Sequence, residues 1–371
     1  MEYCNRCILP STRPGLVLDS DGICSACRNF ELRGSINWTQ REKSFKEVVA
    51  SAKERSSGYD CLIPVSGGKD STWQTVVCLE QGMNPLCVTW KTPGRTEIGE
   101  RNLKNLISLG VDHIDYTVNP EVEKTFMLKS LEKFGSTAIP MHLALFNIPL
   151  KIANSFGIPL VVWGENSAFE YGDPSDERLG FKLTSGWLNK YGVTHGTKAI
   201  DWQDSDISEK MLTPYNGPNP DDLEKAGTLA IFLGYYFQWD IKTSYSVAKK
   251  NGFLPESTGS RTGIYDFADI DDHFISIHHY LKWYKFGFLR TFDNLSLEIR
   301  HGRLSRDKAI KIAKSYGESL PQKDIELFCD FVGIGSKRFF EIIETFRNNK
   351  IWKKDGNKWK IPNFLIKDWI W

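Results

Sequence analysis

The hexapeptide Ser66-Gly67-Gly68-Lys69-Asp70-Ser71 constrains this chain more than any other stretch. It follows an apolar run, Cys61-Leu62-Ile63-Pro64-Val65, and precedes a segment, Thr72 to Gln81, whose pattern predicts a helix. A buried strand, a two-glycine turn and a helix start together describe a phosphate cradle. Glycines let backbone N–H groups approach an anion closely, and a helix N-terminus adds its partial positive charge. Lys69 supplies a point charge, and the Ser66 and Ser71 hydroxyls supply donors. The spacing is not that of a Walker A loop, because G-x-x-x-x-G-K-[ST] is absent. The competing reading is a plain Gly-Gly turn between a strand and a helix.

Strands and helices alternate around the hexapeptide. Phe45, Val48, Val49 and Ala52 form one apolar stripe of a helix that Thr39-x-x-Glu42 would cap. Further strands are predicted at Pro85–Trp90, His113–Val118 and Ile158–Trp163, and a fifth at Leu229–Phe237. Helices are predicted at Glu97–Leu109, Pro120–Phe134, His142–Phe156 and Ser244–Lys250, with Gly82, Gly110 and Gly157 as stops. This rhythm predicts an α/β fold with a parallel, doubly wound sheet. Ligands in such sheets bind beyond the carboxyl ends of the strands. The hexapeptide, Thr89-Trp90 and Gly164-Glu165-Asn166 all fall at such ends. Ser167 to Asn219 reads as long loops that could cover the site. From Asp269 onward the pattern is largely helical, with Ser305 capping a helix. The expected division is 1–38, 39–268 and 269–371.

Four of the eight cysteines lie in the first 27 residues, as Cys4-x-x-Cys7 and Cys24-x-x-Cys27. Two such knuckles suit a closed tetrahedral thiolate site, with structural Zn²⁺ expected and an iron–sulfur cluster as the alternative. The loop between them has no obvious core of its own, so a metal would supply folding energy. Cys61, Cys78 and Cys87 fall in apolar segments and read as buried small residues, and Cys329 lies in a predicted helix.

Net charge is +1, from 47 basic and 46 acidic residues, which provides no broad field for a polyanion. Nucleic acid is therefore not expected as the main partner. No apolar run reaches the ~20 residues of a membrane span. Met1-Glu2-Tyr3-Cys4 has no signal-peptide character, and a cytoplasmic location is expected. Of the seven histidines, His142, His195, His278, His279 and His301 show no metal-ligand spacing and read mostly as structural, with a proton relay as the alternative for one of them. Tryptophans from Trp352 to Trp371 read as a packing arm or a partner-binding edge.

The hexapeptide resembles the SGGxDS loop of the PP-loop ATPases, which release pyrophosphate from ATP. Combined with both cysteine pairs, Trp163-Gly164-Glu165-Asn166 and Leu297-Glu298-Ile299-Arg300-His301-Gly302-Arg303, the chain resembles the N-acetyl sugar amidotransferase family. That resemblance implies adenylylation of a sugar acetamido oxygen by ATP, then displacement of AMP by ammonia to form an acetamidino sugar for surface polysaccharide. It implies Mg²⁺ with the ATP, a separate glutaminase subunit as ammonia source, and a nucleotide-linked or nonulosonic N-acetyl sugar as substrate. Lys69, Asp70 and Glu165 are then the expected catalytic residues. Ser66, Gly67, Gly68, Lys69, Asp70, Ser71, Thr89, Trp90, Gly164 and Asn166 are expected to bind nucleotide. Glu298, Arg300 and Arg303 are expected to touch the substrate, an Arg fork suiting a carboxylate or diphosphate. The alternatives are a tRNA-modifying PP-loop ATPase and a non-catalytic zinc-bearing scaffold.

Overall fold

The computed structural model describes the whole chain, Met1–Trp371. Five strands, β1 (Cys61–Pro64), β2 (Pro85–Trp90), β3 (Asp112–Tyr116), β4 (Leu160–Trp163) and β5 (Leu229–Phe232), form one sheet. All pairings are parallel and the order is β3-β2-β1-β4-β5. The chain winds outward from β1 to β3 and then returns to the other side of β1. The winding therefore reverses between β1 and β4, which opens a crevice at their carboxyl ends. This is the expected α/β arrangement with a parallel, doubly wound sheet, and the hexapeptide leaves β1 at the crevice.

Side chains alternate across the strands, so each face builds its own core. Cys61 and Ile63 of β1 join Cys87, Leu160 and Val162 beneath three helices, α2 (Trp38–Arg55), α3 (Lys69–Glu80) and α4 (Glu97–Ile107). α1 (Ser25–Leu32) belongs to the cysteine module. Leu62 faces the other way and joins Leu86, Val161 and Trp163 under α5 (Pro120–Phe134) and α6 (Ile139–Phe156). That second core runs on into Phe292, Phe328 and Phe339, so the C-terminal helices share it rather than packing by themselves.

Several boundaries differ from the sequence reading, each for a local reason. α2 starts at Trp38 because the Asn37 side chain accepts from Gln40 N–H at 3.0 Å, which leaves Thr39 inside the helix. α3 starts at Lys69, so Lys69 and Asp70 occupy its first turn. α6 starts at Ile139 with Pro140 in its first turn, ahead of His142. β5 stops at Phe232, and Leu233–Tyr236 turns across the end of β4, where Gly234 N–H donates to the Gly164 carbonyl at 3.0 Å. A Cβ at Gly234 would sit 3.1 Å from Glu165 Cα, a close approach that explains the glycine.

The region after Asp269 is helical, with Ser305 capping Arg306–Tyr316 as expected. It ends in a hairpin, β6 (Lys353–Asp355) and β7 (Lys358–Lys360), which the helical reading missed. The late tryptophans pack inward. Trp283 has Trp352, Trp369 and Trp371 around it at ring-centroid distances of 4.9, 5.8 and 6.3 Å. No helix is long and apolar enough to cross a membrane.

Candidate functional site

Gly67 takes φ +83, and a Cβ there would lie 2.5 Å from the backbone nitrogen of Leu103. The hexapeptide therefore packs against α4 with no room for a side chain. Gly68 precedes α3, and its N–H donates to Ser66 Oγ at 3.2 Å. Ser71 Oγ accepts from Ser66 N–H at 3.4 Å and donates to the Gly68 carbonyl at 3.1 Å. The N–H groups of Gly67, Lys69, Asp70 and Ser71 have no acceptor within the protein. Four free amides at the start of a twelve-residue helix fit the phosphates of a nucleotide.

The turn opens into a cleft of about 480 Å³. Ser66, Asp70, Ser71, Thr89, Trp90, Gly164 and Glu165 line it, so the crevice gathers most of the expected nucleotide and catalytic residues. Thr89 Oγ1 donates to the Val65 carbonyl at 2.7 Å, and Trp90 Nε1 donates to Glu123 at 2.7 Å. Gln74 of α3 packs against Gly164, where a Cβ would come within 3.3 Å of its amide.

Lys69 is buried and paired with Asp70. Burial works against its charge, but Asp70, with Glu165 and Asp269 behind it, prevails and raises its pKa. The second oxygen of Asp70 accepts from the Trp239 indole at 3.0 Å. Glu165 is pushed up to about 7, first by burial and then by the Asp70 carboxylate. A group poised near neutrality in a cleft suits proton transfer.

Three further carboxylates complete the wall: Asp269, Asp271 and Asp272. Burial raises Asp271, and it pushes Asp272 up to about 6. Ser66 of the hexapeptide lies near enough to Asp271 to offset part of that rise. Asp269 adopts φ +56, a conformation few non-glycine residues hold. With Asp70 and Glu165 beside them, a bare triphosphate would be repelled. The donor set therefore fits a nucleotide that arrives with Mg²⁺, an ion that takes carboxylate and phosphate oxygens. Sequence reading missed these three because Asp269-Ile270-Asp271-Asp272 looked like the start of a helical region. The clustered acids were the available signal.

Four expected site residues lie elsewhere. Asn166 caps the short helix Ser167–Tyr171, accepting from Ala168 N–H and Trp187 Nε1 at 3.0 Å each while donating to the Glu177 carbonyl at 3.0 Å. Glu298 is saturated by Arg303 (2.9 and 3.0 Å), Tyr265 (2.6 Å) and Lys242 (2.9 Å). Arg303 also donates to Asp240 at 2.6 Å. Arg300 is buried beside the cysteine cluster, whose thiolates favour its charge once burial is offset. Asp240, Lys242, Tyr265 and the cysteines lie far from Glu298, Arg300 and Arg303 along the chain, which a local motif does not reveal.

The sulfurs of Cys4, Cys7, Cys24 and Cys27 all lie within 4.8 Å of one another. Cys4 and Cys27 are 4.0 Å apart, and Cys7 and Cys24 are 3.6 Å apart. Tetrahedral Zn–S bonds of about 2.3 Å require S–S separations of about 3.8 Å. Cys7 and Cys24 N–H groups donate to Cys4 Sγ at 3.4 and 3.2 Å, which suits a thiolate. The four residues could hold zinc. Arg306 ties the knuckle to the C-terminal helices, donating to the Cys7 carbonyl at 2.9 Å.

Residues 260–365 match the family model for the LPS biosynthesis protein WbpG-like, C-terminal domain. That segment, under a third of the chain, is similar to the WbpG-like domain. The matched segment includes Asp269, Asp271, Asp272 and Ile275, which line the same cleft as Ser66, Asp70 and Ser71 of the hexapeptide. No curated protein matches. Among solved structures, NMN synthetase from Francisella tularensis is similar over 52% of this chain and 83% of its own, at 14% identity and TM-score 0.27. A predicted subunit of tRNA methyltransferase from Methanocaldococcus jannaschii is similar over 65% and 91%, at 16% identity and TM-score 0.29. Overlays this loose carry no argument about the chain.

Proposed function

We propose that the chain is an ATP-dependent amidotransferase acting on a sugar N-acetyl group. One observation carries the reading: the WbpG-like segment and the hexapeptide turn line the same cleft. The acetamido oxygen would attack the α-phosphorus of ATP, breaking the bond to the β-phosphate and releasing pyrophosphate. Ammonia would add to the activated carbon. The C–O bond would then break, AMP would leave with the former amide oxygen, and loss of a proton would give the acetamidino group.

Under this reading Ser66, Gly67, Gly68, Lys69 and Ser71 hold the phosphates, and Asp70 and the Asp269–Asp272 wall attend the Mg²⁺. Thr89, Trp90 and Gly164 border the nucleoside. Glu165 accepts the proton that the attacking nitrogen sheds, an assignment supported by its near-neutral pKa. Free ammonia is scarce at neutral pH, so a glutaminase subunit would supply it, as the family resemblance implies. Zinc at the four cysteines is structural, since four thiolates leave no open position. As the family resemblance implies, the acetamidino sugar would serve surface polysaccharide synthesis.

The test is incubation with ATP, Mg²⁺, ammonium and a panel of nucleotide-linked N-acetyl sugars. Pyrophosphate release, together with the small mass decrease of replacing O by NH, is the expected result. Release that depends on tRNA and on no sugar would overturn the reading.

A further inference from the structure

Gln74 lines the cleft and is 4% exposed, but its carboxamide has no hydrogen-bond partner in the protein. Its oxygen and nitrogen are not sealed off; both stay open to the cleft. The polar residues around it on α3 are satisfied. Ser71 and Thr72 donate to the Gly68 carbonyl at 3.1 and 3.0 Å, and Thr75 donates to the Ser71 carbonyl at 2.8 Å. An amide left unpaired at such depth is costly unless a ligand completes it.

The fold gives that ligand a place. Asp70 and Gln74 stand four residues apart on α3, so both reach the cleft from one face of the helix. The carboxamide lies against Gly164, where a Cβ would come within 3.3 Å of Nε2 and 3.7 Å of Oε1. Gly164 follows β4 and precedes Glu165. Thr89 and Trp90 end β2, which lies on the other side of β1. Gln74 is therefore on the Glu165 flank of the cleft, away from the residues that border the nucleoside. The cleft also has an apolar lining from Met141, Leu145 and Phe146 of α6 and Trp163 of β4, with the Phe146 and Trp163 rings 5.0 Å apart.

We propose that Gln74 recognises the secondary amide that the enzyme activates. Its Oε1 accepts the amide N–H, and the apolar lining takes the acetyl methyl. This rests on the amidotransferase reading for the fate of that amide. The chemistry gives the contact a purpose. As the amide oxygen bonds to the α-phosphorus, pyrophosphate leaves with the electron pair of the broken P–O bond. The nitrogen lone pair moves into the C–N bond, and the N–H gains positive charge. An acceptor on that N–H therefore stabilises the transition state more than the bound substrate. Gln74 is thus a specificity-determining residue, selecting an amide over a group of the same shape without the N–H.

The test is calorimetric titration of the full chain, with and without Mg²⁺ and a non-hydrolysable ATP analogue. The probes are a nucleotide-linked N-acetylhexosamine and its ketone isostere, in which a methylene replaces the amide N–H. The amide should bind about threefold to tenfold tighter than the ketone. Gln74→Met, similar in length but without an acceptor oxygen, should erase that preference. Gln74→Glu, which keeps an acceptor, should retain it. A merely structural role would weaken both sugars alike and leave their ratio unchanged in Gln74→Met. Equal binding by the wild type, binding of neither sugar, or a preference that survives Gln74→Met would overturn the assignment. These titrations do not depend on turnover. A chain that prefers the amide through Gln74 but releases no pyrophosphate with any sugar would keep Gln74 as the amide acceptor and lose the amidotransferase reading alone.

Discussion

The carboxylate of Asp70 accepts a hydrogen bond from the Trp239 indole at 3.0 Å while its other oxygen pairs with Lys69. Two residues of the turn are thereby held by a residue 169 positions further along the chain. Trp239→Phe keeps the packing and removes the donor. Hydrogen bonds to charged groups contribute about 1.5–3 kcal/mol. Sugar-dependent pyrophosphate release should fall by about tenfold or more, with the far-ultraviolet circular dichroism spectrum unchanged. Wild-type turnover would show that Asp70 needs no such restraint.

Gly67→Ala meets both a positive φ and the backbone of Leu103 at 2.5 Å. Helix α4 cannot yield as a side chain would. A loss of about 2 kcal/mol or more is expected in urea unfolding, together with loss of ATP-analogue binding. Gly58→Ala is the control. A Cβ there meets nothing within 4 Å, so stability should stay within about 0.5 kcal/mol.

The turn was legible in the sequence because its requirements are local: two glycines, two hydroxyls and a helix start lie side by side. The parallel sheet was legible for a similar reason, since its buried strands are continuous apolar runs. Glu298, Arg300 and Arg303 were not. A short motif cannot reveal that Lys242 and Tyr265 fill the acceptors of Glu298, or that Arg300 lies beside cysteines nearly three hundred residues away. The Asp269–Asp272 wall was hidden the same way, because only tertiary folding brings it to Ser66.

Metal analysis should find one zinc per chain, absent from Cys24→Ser. A tetrathiolate zinc site carries a net charge of −2, and buried Arg300, whose Nη1 has no partner, lies beside it. Arg300→Met should therefore release zinc to a chelator faster than wild type, read with a chromogenic zinc indicator. Iron at the site, or zinc retention unchanged in Arg300→Met, would contradict this part of the account.

Glu165 sits near 7 in the fold against an ordinary 4.5. Its folded form binds more protons between those values, so its contribution to stability is present below about 4.5 and is lost as pH rises through 7. Activity should run the opposite way, rising as the carboxylate forms, with an apparent pKa near 7. Glu165→Gln should flatten the pH dependence of the melting temperature across this window and slow turnover by about 10²–10⁴. An unchanged pH–rate limb in that variant would assign the proton transfer to another group.

The most direct measurement is a crystal structure of the chain with Mg²⁺ and a non-hydrolysable ATP analogue. Phosphate oxygens should lie within hydrogen-bonding distance of the amides of Lys69, Asp70 and Ser71, with the nucleoside against Thr89 and Trp90. A nucleotide bound elsewhere, with those amides facing only solvent, would contradict the account at its base.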